Sequence, residues 1–472
     1  MLHQYRQNGQ NIVLDVHSGA VHIVDDLVYD MLEEISELSK NHDPSVLENF
    51  DDGRIFVDDE AREAFVSKMN SSHHGKDADG ALSEIEDLCE SHELFAKDIY
   101  KDRIEAYSGH PTVVKALCLH VAHDCNLACK YCFAGQGEYH GPRGLMSLEV
   151  GKKALDFLCE NSGHRTNLEV DFFGGEPLMN WEVVKELVRY GRSIEKEKNK
   201  HFRFTLTTNG MLITDEVIDF CNKEMDNIVL SLDGRKEVHD NMRPLRGGQP
   251  SFDTLLPKIK KFADSREALG KEYYVRGTYT HFNLDFAKDV LYLADLGFKE
   301  ISVEPVVAPP EMPYAIKEED IPTLIEQYDI LEDEMLKRKG TDKDFNFYHF
   351  MIDLSGGPCV YKRLTGCGSG TEYLAVTPEG DFYPCHQFVG EKQFLMGNVN
   401  DGITNTTLRE KFSHSNVYDK KECNDCFSRY YCSGGCAANA FHATGDILGN
   451  YGIGCELQRK RVECAIALQA AE

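Results

Sequence analysis

Cysteine is the residue type in this chain with the clearest capacity for chemistry. The 472 residues include 16 cysteines, of which three form the pattern Cys125-x3-Cys129-x2-Cys132. In a reducing cytosol, clustered cysteines serve as metal ligands or catalytic thiols rather than as disulfides. A second group lies towards the carboxyl end of the sequence, at Cys359, Cys367, Cys385, Cys423, Cys426, Cys432, Cys436 and Cys455. The other five are scattered and are interpreted as small buried hydrophobic residues.

The first cysteine group favours an iron–sulfur cluster over zinc. A structural zinc site takes four ligands, and no fourth ligand lies near Cys125, Cys129 and Cys132 in the sequence. Three thiolates on a tight loop suit a cubane cluster, in which one of the four irons then lacks a protein ligand. That iron is free to be chelated by the amino and carboxylate groups of a small molecule.

Two motifs resemble those of the radical S-adenosylmethionine (SAM) enzymes. The segment CNLACKYCF matches the family signature CxxxCxxC followed by an aromatic residue, here Phe133. Gly174, Gly175 and Glu176, followed by a proline, match the family's GGEP segment, whose backbone meets the amino group of SAM. The resemblance implies that SAM and a [4Fe–4S] cluster bind at these two motifs.

The same resemblance implies further SAM contacts. Asn209 in TTNG, and Ser231 and Asp233 in SLDG, match positions around the ribose and carboxylate of SAM. Arg243 is the candidate partner of the SAM carboxylate, since a guanidinium pairs with a carboxylate in a fixed geometry. For each of these four residues a structural turn or cap remains an equal alternative.

The carboxyl-terminal cysteines have two interpretations. One or two zinc knuckles are possible because CxxC pairs are common zinc ligands. The spacing also resembles the SPASM domain, which holds two auxiliary [4Fe–4S] clusters. The resemblance assigns Cys367, Cys385 and Cys436 to the first auxiliary cluster, with Cys359 as candidate fourth ligand, and Cys423, Cys426, Cys432 and Cys455 to the second. Without Cys359, the first auxiliary cluster has an open iron able to take a substrate thiolate.

The elements between these motifs predict an α/β fold. Six strand candidates alternate with helical patterns, at residues 115–123, 167–173, 202–209, 227–233, 273–280 and 300–306. This alternation predicts a partial (β/α)6 TIM-like barrel over residues 110–345. The cysteine loop, GGEP, TTNG and SLDG each follow a predicted strand, at the end of a barrel where active sites lie.

Two other regions flank the predicted barrel. In residues 1–105, alternating apolar stretches at 11–24 predict a β-hairpin that turns at Gly19, and helices follow it. We interpret this region as a winged-helix-like binding module, with an extension of the barrel as the alternative. Residues 355–465 are rich in glycine and cysteine and have few long periodic segments, which indicates a domain held by metals.

Composition narrows the classes of partner. The formal net charge of −28 repels phosphate backbones and disfavours nucleic acid. No run of 18 apolar residues is present, and the first ten residues contain no apolar signal segment. We therefore expect a cytoplasmic protein with no membrane partner.

Over its whole length the chain resembles the maturases of SCIFF peptides, through segments such as NIVLDVHSGAVHIVDD and GCGSGTEYLAVTPEGDFYPCHQFVG. The resemblance implies an enzyme that uses a 5′-deoxyadenosyl radical to install thioether crosslinks. Each crosslink joins a cysteine sulfur to the α-carbon of threonine or a similar residue in a Cys-rich precursor peptide. Residues 1–105 would bind the leader of that peptide as an added strand. The resemblance also implies a low-potential electron donor such as ferredoxin or flavodoxin.

One residue differs from the residue at the same position in a related group of enzymes. Anaerobic sulfatase maturases carry an acidic base directly after the cysteine that aligns with Cys385, and here that position is His386. His386 is thus a candidate base, with a structural histidine beside a cluster as the alternative. Other SPASM modifiers, including sulfatase-maturase-like and carbon–carbon crosslinking enzymes, remain alternatives. So do a non-catalytic iron–sulfur electron carrier and a zinc-stabilised scaffold.

Overall fold

The computed structural model describes residues 1–104, 113–354 and 360–471. Its strands are β1 Leu2–Gln7, β2 Gln10–Asp15, β3 Val21–Val24, β4 Ala116–His123, β5 Gly144–Leu145, β6 Asn167–Gly174, β7 His201–Thr208, β8 Asn227–Ser231, β9 Glu272–Tyr279, β10 Glu300–Pro305, β11 Asn346–Phe347, β12 Tyr373–Val376, β13 Asp381–Tyr383, β14 Gly397–Asn398 and β15 Gly402–Ile403.

Its α-helices are α1 Asp26–Lys40, α2 Asp59–Ser72, α3 Ala78–Glu90, α4 Leu148–Asn161, α5 Trp181–Lys198, α6 Asp215–Glu224, α7 Lys236–Met242, α8 Phe252–Ala268, α9 Phe286–Asp295, α10 Ile321–Arg338, α11 Val360–Thr365, α12 Thr406–Ser413, α13 Arg429–Cys432, α14 Ala437–Thr444 and α15 Gly452–Ala470. Within the described ranges, no helix is both long enough and apolar enough to cross a membrane.

The predicted barrel is confirmed. Strands β4, β6, β7, β8, β9 and β10 are parallel neighbours in that order, and each lies within two residues of its predicted bounds. Every residue of β4 (ALCLHVAH) is buried, because both faces of a parallel sheet are covered. The polar sequence motifs therefore emerge together where these strands end.

The barrel sheet continues into the cysteine-rich region. Strand β12 pairs in parallel with β4, with Tyr373 opposite Ala116, and β13, β14 and β15 extend the sheet in antiparallel order. Helix α15 of the same region packs on the barrel helix α10, where Arg461 donates to Tyr328 Oη over 2.8 Å. The barrel and the cysteine-rich region consequently share one sheet.

The amino-terminal module is a three-stranded antiparallel sheet, in the order β1-β2-β3, covered by α1, α2 and α3. Gly19 lies in the predicted turn between β2 and β3, with φ of +80°. Strand β1, which was not predicted, pairs with β2 and extends the predicted hairpin to three strands. The side chain of Val13 faces the helices, whereas Ile12 and Leu14 face the cysteine-rich region. Burying each such side chain contributes about 2 kcal/mol, so β2 stabilises both contacts.

A half-buried polar cluster joins the module to the cysteine-rich region. Arg429 Nη2 donates to Asp98 Oδ2 over 3.0 Å and to His17 Nε2 over 2.7 Å. The hydroxyls of Tyr418 and Tyr430 donate to Asp98 Oδ1 over 2.7 Å and 2.9 Å. Burial alone would raise the pKa of Asp98, but these hydroxyls and Arg429 lower it below its usual value. Asp98 therefore stays ionised as an anchor of the interface.

We expect Arg429→Met to destabilise the protein by about 2 kcal/mol, because it leaves the half-buried carboxylate of Asp98 without a cation. The measurement is urea-induced unfolding combined with amide hydrogen exchange of β1–β3. Arg6→Met is the matched control, since the Arg6–Asp26 pair is exposed and is worth less than about 1 kcal/mol. Equal effects of the two variants would contradict a role for Arg429 in holding the module.

Candidate active site

A cavity of about 460 Å³ opens where the barrel strands end. Its walls include the cysteine loop after β4, the glycines after β6 and the ends of β7, β8, β9 and β10. Cys432, Cys436 and Cys455 of the cysteine-rich region line the same cavity. The two cysteine groups that are separate in the sequence thus meet at one space, at the end of the barrel where active sites lie.

The first cysteine loop is held by backbone contacts. Ala128 N donates to Pro244 O and Lys130 N donates to Met242 O, both over 2.9 Å. Burial raises the pKa of Cys125 to about 11 and that of Cys129 to about 12, and the neighbouring thiol of Cys132 adds to both shifts. The structure therefore brings the three predicted ligands together.

Glycine allows the cysteine loop and the GGEP loop to touch. A Cβ on Gly174, which has φ of +122°, would lie 2.3 Å from Ala122 O. A Cβ on Gly175 would lie 2.1 Å from Asp124 O. The amide of Gly175 donates to Ala122 O, and that of Glu176 donates to Asp124 O, each over 2.8 Å. These two amides hold the cysteine loop and the GGEP loop together, so neither N–H group is free to contact a ligand.

Glu176 is almost fully buried and does not line the cavity. Its carboxylate accepts from Thr208 Oγ1 and from Asn209 N, each over 2.8 Å, and from Leu178 N over 3.0 Å. Burial raises the pKa of Glu176 to about 7, although these donors oppose the shift. Glu176 thus acts as a positioning residue that ties GGEP to TTNG.

Asn209 lines the cavity and also contacts the cysteine loop. Its Nδ2 donates to Asn126 Oδ1 over 2.7 Å and lies 3.5 Å from Cys125 Sγ. Ser231, at the end of β8, lines the cavity as well. The structure places both residues beside the predicted SAM site, and gives Asn209 a structural role there.

Asp233 is fully buried behind the cavity wall, and Arg243 lies in that wall. Arg243 Nε donates to Asp233 Oδ1 over 3.0 Å and to Tyr131 Oη over 2.6 Å. Tyr131 Oη in turn donates to Asp233 Oδ2 over 2.7 Å, and Thr278 N donates to Asp233 Oδ1 over 3.1 Å. Asp233 therefore orients Arg243, while Tyr131, which we did not predict, joins this network from between two cysteines of the motif.

The carboxyl-terminal cysteines gather in the two predicted sets. Burial raises the pKa of Cys385, and the nearby thiols of Cys436 and Cys367 raise it further. In the second set, the pKa of Cys432 is raised to about 12. Burial is the main cause, and the thiols of its three predicted partners, Cys455, Cys423 and Cys426, add to the shift. Cys359 lies outside the described residues.

The spacing of the thiols tests which metal fits. Tetrahedral zinc with bonds of 2.3 Å holds its sulfurs about 3.8 Å apart. Among the described residues, Asp329, Glu332 and Cys464 have ligand atoms that lie within 4.8 Å of one another. No three of the described cysteines do so. The cysteine sets are therefore wider than the sulfur spacing of a tetrahedral zinc site, and their thiolate donors suit iron–sulfur cubanes.

His386 lies in the cavity wall between the two cysteine groups. Its ring centroid is 5.5 Å from that of Phe133 and 5.2 Å from that of Phe173. Burial lowers the pKa of His386 to about 4, so the imidazole is neutral at physiological pH. Phe133 itself is 46% exposed towards this space.

One wall of the cavity is charged, and no motif in the sequence predicts it. Arg276 on β9 donates to Glu304 on β10 over 2.7 Å, and Arg461 of α15 lies on the same side. Burial alone would raise the pKa of Glu304, but Arg276, His349 and Arg461 together lower it to about 2. These residues come from separate elements and belong to no motif, so only the folded chain brings them together.

Two family models match the chain. The radical SAM superfamily model matches residues 119–267, and the model of the SPASM iron–sulfur cluster-binding domain matches residues 367–427. The chain therefore contains a radical SAM domain followed by a SPASM domain.

Its relatives modify a range of substrates. The chain is 22% identical over 405 residues to the radical SAM cyclopropyl synthase TigE of Paramaledivibacter caminithermalis, covering 78% of this chain and 79% of that one. It is 24% identical over 364 residues to the serine-type anaerobic sulfatase-maturating enzyme of Bacteroides thetaiotaomicron, covering 68% and 82%.

Solved structures share the fold. The chain matches anSMEcpe with bound AdoMet and Cp18Cys peptide with a TM-score of 0.61 and 22% identity, over 76% of this chain and 98% of that one. It matches Streptococcus suis SuiB bound to precursor peptide SuiA with a TM-score of 0.51 and 16% identity, over 93% and 95%. The SuiB match thus extends over parts of this chain that the anSMEcpe match leaves uncovered.

We expect Gly175→Ala to reduce SAM affinity at least tenfold, because the added methyl group forces the Asp124 carbonyl and the cysteine loop away. Equilibrium dialysis of SAM against anaerobically reconstituted protein measures the change. Gly141→Ala is the control, since its Cβ would make only ordinary contacts at 3.7 Å. Unchanged affinity in Gly175→Ala would show that SAM binds elsewhere.

Proposed function

We propose that this protein is a peptide maturase that installs thioether crosslinks in a Cys-rich precursor peptide, from cysteine sulfur to the α-carbon of threonine or a similar residue. One observation carries the proposal: the CxxxCxxC loop lines the same cavity as three of the SPASM cysteines, Cys432, Cys436 and Cys455. A thioether joins a carbon that loses hydrogen to a thiol, and this cavity offers a place for both groups.

The cofactor sites follow from the cysteine sets. Cys125, Cys129 and Cys132 would hold the [4Fe–4S] cluster that binds SAM, and the two SPASM sets would hold two auxiliary [4Fe–4S] clusters. When bound, the first cluster and SAM supply radical chemistry that removes a hydrogen atom from an unactivated carbon. Cys359 is the candidate fourth ligand of the first auxiliary cluster.

The protein's own residues position the reactants. Arg243 is held from behind by Asp233 and Tyr131, so its guanidinium is fixed before a carboxylate arrives. The imidazole of His386 is the candidate base for a substrate thiol, although burial lowers its pKa to about 4 and so weakens it as a proton acceptor; a structural role beside Cys385 is the alternative. Phe133 and Phe173 pack against that ring and keep water away from it.

The amino-terminal module would bind the leader of the precursor peptide. Strand β3 ends the order β1-β2-β3, and Ile23 on it is 50% exposed. By contrast, β1 lies against α15, where Tyr5 Oη donates to Glu463 O over 2.9 Å. Strand β3 is therefore the edge to which a peptide adds as a further strand. The structure of SuiB with its precursor peptide, whose match spans most of this chain, supports this role.

His386 disfavours a sulfatase-maturase activity, because it stands where those enzymes carry an acidic residue. A carbon–carbon crosslinking activity is the main alternative within the same class. The similarity to the cyclopropyl synthase TigE shows how far chemistry varies among such relatives. An electron carrier without turnover needs no cavity of this size beside its clusters.

We expect about twelve irons per chain after anaerobic reconstitution, as three cubanes require. Replacing Cys125, Cys129 and Cys132 together by alanine removes about four irons, and so does replacing Cys423 and Cys426. Iron and sulfide analysis beside zinc measures this. The control is Cys221→Ala, because Cys221 is fully buried in the barrel core. About four irons in the unaltered protein would leave the SPASM cysteines to another metal.

We expect turnover with a Cys-rich precursor peptide encoded beside this gene to remove two hydrogens and one free thiol per crosslink. Mass spectrometry before and after thiol alkylation measures both changes. Deuterium on the threonine α-carbon should appear in the 5′-deoxyadenosine product. Loss of two hydrogens with every thiol retained would indicate a carbon–carbon link, and a hydrazine-reactive aldehyde would indicate formylglycine.

A further inference from the structure

The charged wall of the active-site cavity carries an excess of positive charge. Its residues that line the cavity are Arg276 of β9, Glu304 of β10, His349, and Arg461 of α15. Arg276 and Glu304 form an ion pair over 2.7 Å. Burial lowers the pKa of His349 to about 3, so this imidazole is neutral at physiological pH. Two cations therefore face one anion, and the charge of Arg461 is the excess.

Arg461 has no carboxylate partner among the residues that the structure describes. It is only 8% exposed. Its Nε donates to Tyr328 Oη over 2.8 Å, whereas its Nη2 is buried and has no hydrogen-bond acceptor in the described part of the chain. Glu304 bonds instead to Arg276, from which its two oxygens accept over 3.4 Å and 2.7 Å. A buried cation without a partner is costly, so the fold retains here a charge that its own residues leave unpaired.

The direction of Arg461 separates it from the metal-binding sets. Arg459, two residues earlier on α15, is the arginine whose charge acts on Cys426 and Cys455 of the second set. Residues two apart on a helix point about 200° from each other. Consistent with this, Arg461 lines the cavity and Arg459 does not. The charge of Arg461 is thus directed at the contents of the cavity.

The chemistry of a ligand for Arg461 follows from the guanidinium. An arginine presents its N–H groups in a planar fork, to which a carboxylate binds through both oxygens. SAM brings a carboxylate into the same cavity, but the candidate partner of that group is Arg243, which bonds to Asp233 and Tyr131. The remaining source of a carboxylate in this cavity is the substrate peptide.

We propose that Arg461 binds a carboxylate of the substrate peptide, either an acidic side chain near the reacting residues or the carboxyl terminus. This inference rests on the proposed peptide-modifying function and adds a chemical feature of the substrate. Arg461 is a specificity-determining residue: an acidic group pairs with it and fixes the peptide in the cavity, whereas a neutral peptide leaves it unpaired and binds more weakly.

The test compares three short acetylated peptides that contain cysteine and threonine. The first carries aspartate at every third position and an amidated end, the second has asparagine in place of aspartate, and the third is the asparagine peptide with a free carboxyl terminus. Isothermal titration calorimetry measures their binding to the reconstituted full-length protein in the presence of SAM. We expect a carboxylate peptide to bind about tenfold more tightly than the neutral one. The formal charge of −28 repels acidic peptides, so this preference requires a local cation.

The three affinities identify the source of the carboxylate. Tightest binding of the aspartate peptide indicates an acidic side chain, and tightest binding of the peptide with the free end indicates the carboxyl terminus. Either result supports the proposal. Equal affinities, tightest binding of the neutral peptide, or no measurable binding of any peptide would overturn it.

Variants locate the carboxylate at Arg461. Arg461→Met should abolish the preference, and Arg461→Lys, which keeps the charge but loses the fork, should retain part of it. Arg459→Met is the matched control, since it removes the same charge from the same helix outside the cavity. Because the preference is a ratio of affinities, it does not depend on the fraction of protein that is folded.

Iron content and SAM affinity are measured for the same variants, and Arg461→Met should match the unaltered protein in both. Fewer irons would mean that Arg461 serves a cluster, and weaker SAM binding would mean that it serves SAM; each would overturn the proposal. So would a preference that survives in Arg461→Met, or one that both methionine variants lose equally.

The outcome is independent of the crosslinking chemistry. A preference that depends on Arg461, without any crosslinking of a Cys-rich precursor, would support the carboxylate site and count against the thioether activity alone. Crosslinking of a precursor, together with the same affinity ratio in the unaltered protein and in Arg461→Met, would overturn the carboxylate site alone.

Discussion

The active-site region depends on one strand that is buried along its whole length. Strand β4 pairs with β6 on one side and with β12 on the other, and the cysteine loop begins where β4 ends. The same strand therefore fixes the first cysteine group relative to GGEP and relative to the SPASM region. Backbone pairing on both edges of β4 holds the cysteine loop, the GGEP loop and the first SPASM strand in one arrangement.

Behind the cavity, two buried carboxylates keep the surrounding loops in place. Glu176 accepts hydrogen bonds from the loop after β7, and Asp233 accepts them from Tyr131, Arg243 and the strand β9. Neither carboxylate lines the cavity. A buried carboxylate with several donors is stable only in one arrangement of those donors, which gives the site a defined shape before any ligand binds.

Much of this arrangement was predictable from local patterns. Period and strand length located six barrel strands to within two residues, and the resemblance to the SPASM domain implied the two sets in which the described carboxyl-terminal thiols lie. The pairing of β12 with β4 was not predictable, because a short strand carries no signal about a partner far away in the sequence. The Arg276–Glu304 pair was missed for a related reason: alternation on a strand shows that a side chain points inward, but not what it meets. Asp233 and Glu176 matched motif positions, yet only the fold shows that they act through their neighbours.

The contact between β1 and α15 has a consequence for how the chain is made. Tyr5 bonds to the backbone of Glu463, His3 stacks on Phe427 at 3.4 Å, and Lys460 donates to Gln7 over 3.0 Å. Contacts of such high sequence separation form late, and during synthesis the first strand emerges from the ribosome long before α15. Until then the face of β2 that carries Ile12 and Leu14 has no cover. The module completes its packing only when the SPASM region is in place, so the edge strand β3 and the SPASM cysteines reach their final arrangement together.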